Sequence, residues 1–139
     1  MPIKAFKYLS PILLYAAAWV AFSMQGFWVF LPLVYSFVII PGAEVFYNPV
    51  TENLSAAEEE MARKNKLYDW MLYMVVPLQY AALVYFLYGL STASLLWWEL
   101  LGRTLSMGLL CGTFGINVAH ELGHRTKKYE QVLARVLLA

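Results

Sequence analysis

Between Tyr8 and Ile40 the chain has no Lys, Arg, Asp or Glu, and between Trp70 and Leu96 it again has none. As helices, such stretches are long enough to cross a hydrocarbon layer of about 30 Å. The rest of the composition agrees: 61% of the 139 residues are hydrophobic and 14% charged, with a mean hydropathy of +0.58. A soluble domain of this size needs more polar surface than that. The fold class expected is therefore all-α, a polytopic transmembrane helical bundle in a lipid membrane.

Four spans are expected, over about residues 8–24, 27–44, 70–90 and 95–119, with one cytoplasmic helix within residues 45–69; residues 1–139 would form the N-terminal part of one membrane-embedded domain. Gln25-Gly26 suits a tight hairpin between the first two spans, and Gly89 to Ser94 a turn between the last two. Lys4 and Lys7 precede an apolar run, as in a signal peptide, but the run continues past Gln25 into a second one, so it reads as a retained first span. Arg63, Lys64 and Lys66 fall between spans 2 and 3, and Arg125, Lys127, Lys128 and Arg135 after span 4, while the two short turns carry no basic residue. Four spans with the N-terminus in the cytoplasm put every basic cluster on that side. Tyr68, Trp70 and Tyr73 at one end of span 3, and Trp97 and Trp98 at the start of span 4, fit aromatic belts at the two interfaces.

Single residues carry smaller expectations. Arg103 interrupts span 4 one turn after Glu99, and is expected to pair with it and snorkel to the outer interface. Ser55-x-x-Glu58 reads as a capping box opening the cytoplasmic helix, with Glu59–Arg63 and Glu60–Lys64 pairs on its solvated face. Pro77 should kink span 3 or free a carbonyl. The lone Cys111 is expected as a small buried core residue. Gly108, Gly112 and Gly115 are expected to let another helix approach closely. A net charge of +1 with no basic run argues against a nucleic-acid partner.

The chemistry is concentrated at the end of span 4, in Gly115-Ile-Asn-Val-Ala-His120-Glu121-Leu-Gly-His124-Arg125. His120 and His124 are the only two histidines in the chain. Four residues apart on a helix, they project from one face, offset by roughly 40°. That spacing lets two imidazoles reach one metal or a pair of metals. Both are expected to be metal ligands, where an apolar helix emerges into the cytoplasm. Glu121 and Asn117, one turn apart, are candidates for orienting a ligand from behind. No catalytic residue is assigned. Arg125, Lys127 and Lys128 are expected to anchor the helix end at the lipid headgroups.

His-Glu-x-x-His alone is also the zinc metalloprotease signature, with Glu121 as general base. As His-Glu-Leu-Gly-His inside a span it resembles intramembrane proteases of the site-2 type, which is the alternative reading. A membrane scaffold with incidental histidines is a third. The wider context resembles the membrane alkane 1-monooxygenases of the integral-membrane fatty acid desaturase and hydroxylase superfamily more closely. That resemblance rests on Gly115 to Arg125, on Leu67 to Leu83, and on Ile40 to Pro49 with Glu44 before Asn48-Pro49.

The resemblance implies two iron ions held by histidines from several boxes on the cytoplasmic side of a bacterial inner membrane, with His120 and His124 as the first box. It implies O2 activation and insertion of one oxygen at the terminal methyl of an n-alkane drawn from the bilayer, giving a 1-alkanol. Rubredoxin, reduced by a flavoprotein reductase, would supply electrons. Glu121 would then be a supporting residue. The family's later histidine boxes are absent, so the expectation is an incomplete fragment, inactive alone, whose di-iron centre is completed outside these residues.

Overall fold

The computed structural model describes residues 2–46 and 66–139, with side chains from Pro11 to Phe46 and from Asp69 onward. The described residues are helical and contain no strand. The cytoplasmic helix and capping box expected over 45–69 lie largely outside them.

Helix α1 is Pro2–Ser23. Helix α2 runs Gly26–Phe46; it opens with a 3-10 turn, Gly26–Phe30, and contains a π-helical turn, Tyr35–Ile39. Helix α3 is Lys66–Thr92 and continues through Pro77. Helix α4 covers residues 97–123, with α-helical Trp97–Leu110 and Asn117–Gly123 separated by a π-helical stretch, Cys111–Ile116. Helix α5 is Lys128–Leu138. Two segments, Gly26–Phe46 and Asp69–Thr92, are long and apolar enough to cross a membrane, while Pro11–Ser23 is a shorter apolar stretch.

The helix directions follow from the contacts. Tyr15 meets Gln79 and Phe22 meets Phe86, so α1 and α3 run parallel. Arg103 reaches Met24 while Tyr15 stacks on Phe114, so α4 runs antiparallel to α1. Tyr73 contacts Glu130 and Tyr80 contacts Val136, so α5 turns back from the end of α4 and climbs alongside α3. The 24–26 and 93–96 turns therefore share one end of the bundle, and the start of α3 shares the other end with His120 and His124.

Between helices in a membrane, close packing and interhelical hydrogen bonds must do what the hydrophobic effect does in water. Helix α1 presents Leu14, Ala18, Ala21 and Phe22 at helical spacing, all buried, against Ala82, Phe86, Met107 and Leu110. A second cluster joins Leu72, Val75 and Val76 of α3 to Val118 and Leu122 of α4 and Ala134 of α5. The outward surface is apolar, including Phe27, Phe37, Val84, Leu87 and Trp97.

Several expectations need correction. Helix α3 extends to Thr92, past the expected turn start, as the Ser91 and Thr92 hydroxyls fold back onto the Tyr88 carbonyl. Arg103 does not snorkel: it is 2% exposed and its Nη2 donates to the Met24 carbonyl at 2.8 Å, inside the bundle. Glu99 turns to backbone, accepting the Gly26 amide at 2.5 Å and the Leu96 amide at 2.9 Å. These bonds fasten the first turn to the start of α4, and Gly26, with φ 73°, supplies a backbone conformation that side-chain-bearing residues avoid. Cys111 is exposed, its sulfur accepting a bond from Gln79 Nε2 at 3.3 Å. Among the described residues nothing lies within 4 Å of a methyl placed on Gly108 or Gly112, while one on Gly115 would meet Gln79 of α3 at 3.9 Å; a tighter approach is at Gly102, against Val29 and Phe30.

Candidate metal site

The last two turns of α4 have two unlike faces. Val118, Ala119 and Leu122 are buried, Val118 and Leu122 against α3 and α5. His120, Glu121 and His124 are exposed on the other side. Periodicity alone produces this split: the apolar residues recur at three- and four-residue intervals, and the polar ones fill the positions between.

The two imidazole rings lie side by side, with centroids 6.3 Å apart and planes 18° from parallel. The helix keeps them in step, since the His124 amide donates to the His120 carbonyl at 3.2 Å. A pair of imidazoles on one open face suits a transition metal, so the residues fit part of a ligand set. Among the described residues no group of three or more His, Cys, Asp or Glu gathers where it could hold an ion.

Of the residues expected to support the pair, Asn117 directs its amide nitrogen along its own helix, donating to the Thr113 carbonyl at 2.9 Å. Glu121 lies 3.8 Å from Arg125 Nη2, one turn on, and is about half exposed. Its nearest partner is thus a cation, and no observation favours the general-base role that a protease would give it.

Arg125 departs most from expectation. Its Nη1 donates to Asp69 Oδ1 of α3 at 2.5 Å and to Glu130 Oε1 of α5 at 3.0 Å, so it braces three helices and does not reach for headgroups. Glu130 is 1% exposed and also accepts the Tyr73 hydroxyl at 2.5 Å. Burial disfavours the Glu130 charge, yet Tyr73 and Arg125 more than offset that, and the carboxyl is held below the usual carboxylate range. Burial likewise disfavours the guanidinium charge, and the bonds to Asp69 and Glu130 outweigh it, so Arg125 holds its proton more tightly than usual. Sequence reading missed Glu130 and α5. The available signal was the pattern of Tyr129, Val132, Leu133 and Val136 after Lys127-Lys128, a helical repeat too short to stand out.

No protein-family model matches the chain. It is 28% identical over 131 residues to an alkane 1-monooxygenase of Pseudomonas putida, a match covering 87% of this chain. It is 32% identical over 96 residues to an alkane 1-monooxygenase of Ectopseudomonas oleovorans, covering 69% of this chain. The chain is a relative of the alkane 1-monooxygenases. A third example, alkane 1-monooxygenase 1 of Alcanivorax borkumensis, is 27% identical over 112 residues. The alkane 1-monooxygenases are oxidoreductases, and all three are much longer: the matches span 32%, 22% and 28% of their lengths respectively. The resemblance read from the histidine motif and the third helix is thereby supported, and the protease reading gains no support.

Proposed function

We propose that this chain is part of a membrane monooxygenase that inserts one oxygen of O2 at the terminal methyl of n-alkanes, with His120 and His124 as two ligands of a di-iron centre. The observation that carries this is the paired, stacked imidazoles on the open face of α4, in a chain whose relatives are alkane 1-monooxygenases. The remaining ligands would come from chain outside these residues, which match about a third or less of those relatives. Iron held there would supply the oxygen-activating chemistry. The chain's own contribution is to hold two imidazoles on one open face, at the end of an apolar helix. Rubredoxin, itself reduced by a flavoprotein reductase, is the proposed electron donor.

The proposed topology has four spans, α1 to α4, in a bacterial inner membrane, with the N-terminus and the histidine pair in the cytoplasm. The polarity of the bundle supports it: the start of α3 and the end of α4, with Lys66 and Arg125 to Lys128, share one end, and the turns at the other end carry no basic residue.

The test uses the full-length protein in membranes with a rubredoxin and its reductase. Octane should be converted to 1-octanol only when O2 is present, and His120→Ala and His124→Ala should each abolish conversion and lower bound iron. Retention of both iron and turnover in His120→Ala would sink the proposal.

A further inference from the structure

Helix α4 presents its second imidazole where a helix is least able to hold one. Gly123 is its last helical residue, and His124 (φ −80°, ψ −8°) is the cap. Carbonyls there have no onward helical partner, and helix ends fray. The residue that follows is nevertheless bonded on several sides. The Arg125 guanidinium grips Asp69 and Glu130, its amide donates to the Leu122 carbonyl at 3.3 Å, and its own carbonyl accepts Gln131 Nε2 at 3.1 Å. Glu130 is fixed in turn by Tyr73, and Leu122, the residue before the last of the helix, is completely buried.

We propose that Arg125, gripped by Asp69 of α3 and by Glu130 of α5, is a positioning residue that fixes the end of α4 so that the His124 ring stays beside His120 to receive a metal ion. This rests on the reading of the histidine pair as metal ligands. The bonds are made from the backbone segment adjoining the ligand and lie on the side of the helix facing α3 and α5, so they leave both imidazoles open. A free helix end would have to be ordered as metal binds, and fixing the backbone of one residue costs roughly tenfold in an equilibrium constant. Loss of groups that orient a ligand costs about 10- to 100-fold in metal affinity.

The experiment measures, on the full-length protein, iron affinity by competition with a chelator and the Mössbauer spectrum of the bound iron. Arg125→Gln and Glu130→Gln should each weaken affinity about 10- to 100-fold and broaden the spectrum. Arg125→Lys, which keeps the charge, should recover most of both, and Tyr73→Phe should lie between it and the Gln variants. Phe86→Leu, in the other core cluster, should lower thermal stability and leave the spectrum unchanged. Should a Gln variant fail to fold, Tyr73→Phe carries the comparison. Unchanged affinity and spectrum in the folded clamp variants, with iron still lost in His120→Ala, would overturn the clamp and spare the ligand reading. Full iron retention in His120→Ala would overturn both.

Discussion

Gly102 lies so close to Val29 that a methyl group on it would sit 2.4 Å from Val29 Cγ2. Hydrogen at this position lets α2 and α4 touch, and Ser106, one turn on, donates its hydroxyl to the Val29 carbonyl at 2.9 Å. Gly102→Ala should cost about 1–3 kcal/mol, the usual range for an overpacked contact. Gly108→Ala meets nothing within 4 Å among the described residues and should leave the packing of α2 on α4 intact. Denaturation of the two variants in detergent, followed by circular dichroism, checks the difference.

Between α1, α3 and α4, Tyr15 donates to Gln79 Oε1 at 2.8 Å, and Gln79 donates onward to Cys111. Gln79→Leu should cost about 1 kcal/mol, because it strands a half-buried hydroxyl. Adding Tyr15→Phe should return part of that loss. The coupling in the double-mutant cycle should be about 0.6 kcal/mol, the average for interhelical hydrogen bonds in membranes. Simple additivity of the two changes would show that the bond contributes nothing.

Glu99 should govern both turns at its end of the bundle, since it accepts amides from Gly26 and Leu96. Glu99→Ala removes both bonds and takes away the acid nearest in sequence to buried Arg103. The expected outcome is faster hydrogen exchange at the Gly26 and Leu96 amides and a lower melting midpoint. Glu99→Gln, which keeps an acceptor oxygen, should show a smaller effect at one of the two amides.

Docking of α5 should be lost in acid. The folded state holds the Glu130 carboxyl below its ordinary range, so the unfolded state binds the proton first as the pH falls. The stabilisation is then complete above about pH 4.3, the ordinary glutamate value, and disappears as the pH drops through the lower folded value. Arg125 stays charged throughout. Hydrogen exchange over residues 128–138 against pH checks this, and Glu130→Gln should remove the dependence.

Much of this architecture can be read without coordinates. Runs free of charge mark most of α1, α2 and α3, and the four-residue interval between His120 and His124 places both rings on one side. What escapes is whatever depends on which helices become neighbours. Arg103 and Arg125 look like surface cations in sequence, because the carbonyl and carboxylates that hold them, at Met24, Asp69 and Glu130, are distant in sequence or belong to a helix too short to announce itself. The glycines show the same limit: Gly108 and Gly112 have the spacing of a contact motif, yet the contact is made at Gly102. The cytoplasmic helix expected from Ser55 and Glu58 lies outside the described residues.

The π-helical stretch Cys111–Ile116 acts as a phase shifter within α4. A single such turn carries one residue more than the α-helical path it replaces, and each residue in an α-helix advances by about 100°. Rewinding the same residues as regular α-helix, with none removed, would turn everything after them by about that angle while leaving Gly102 and Ser106 seated on Val29. His120 would move to the direction now held by Glu121, and His124 to that of Arg125, towards α3 and α5. The aim of the histidine pair is thus set two turns upstream, by an irregularity at a point in the helix that carries no histidine.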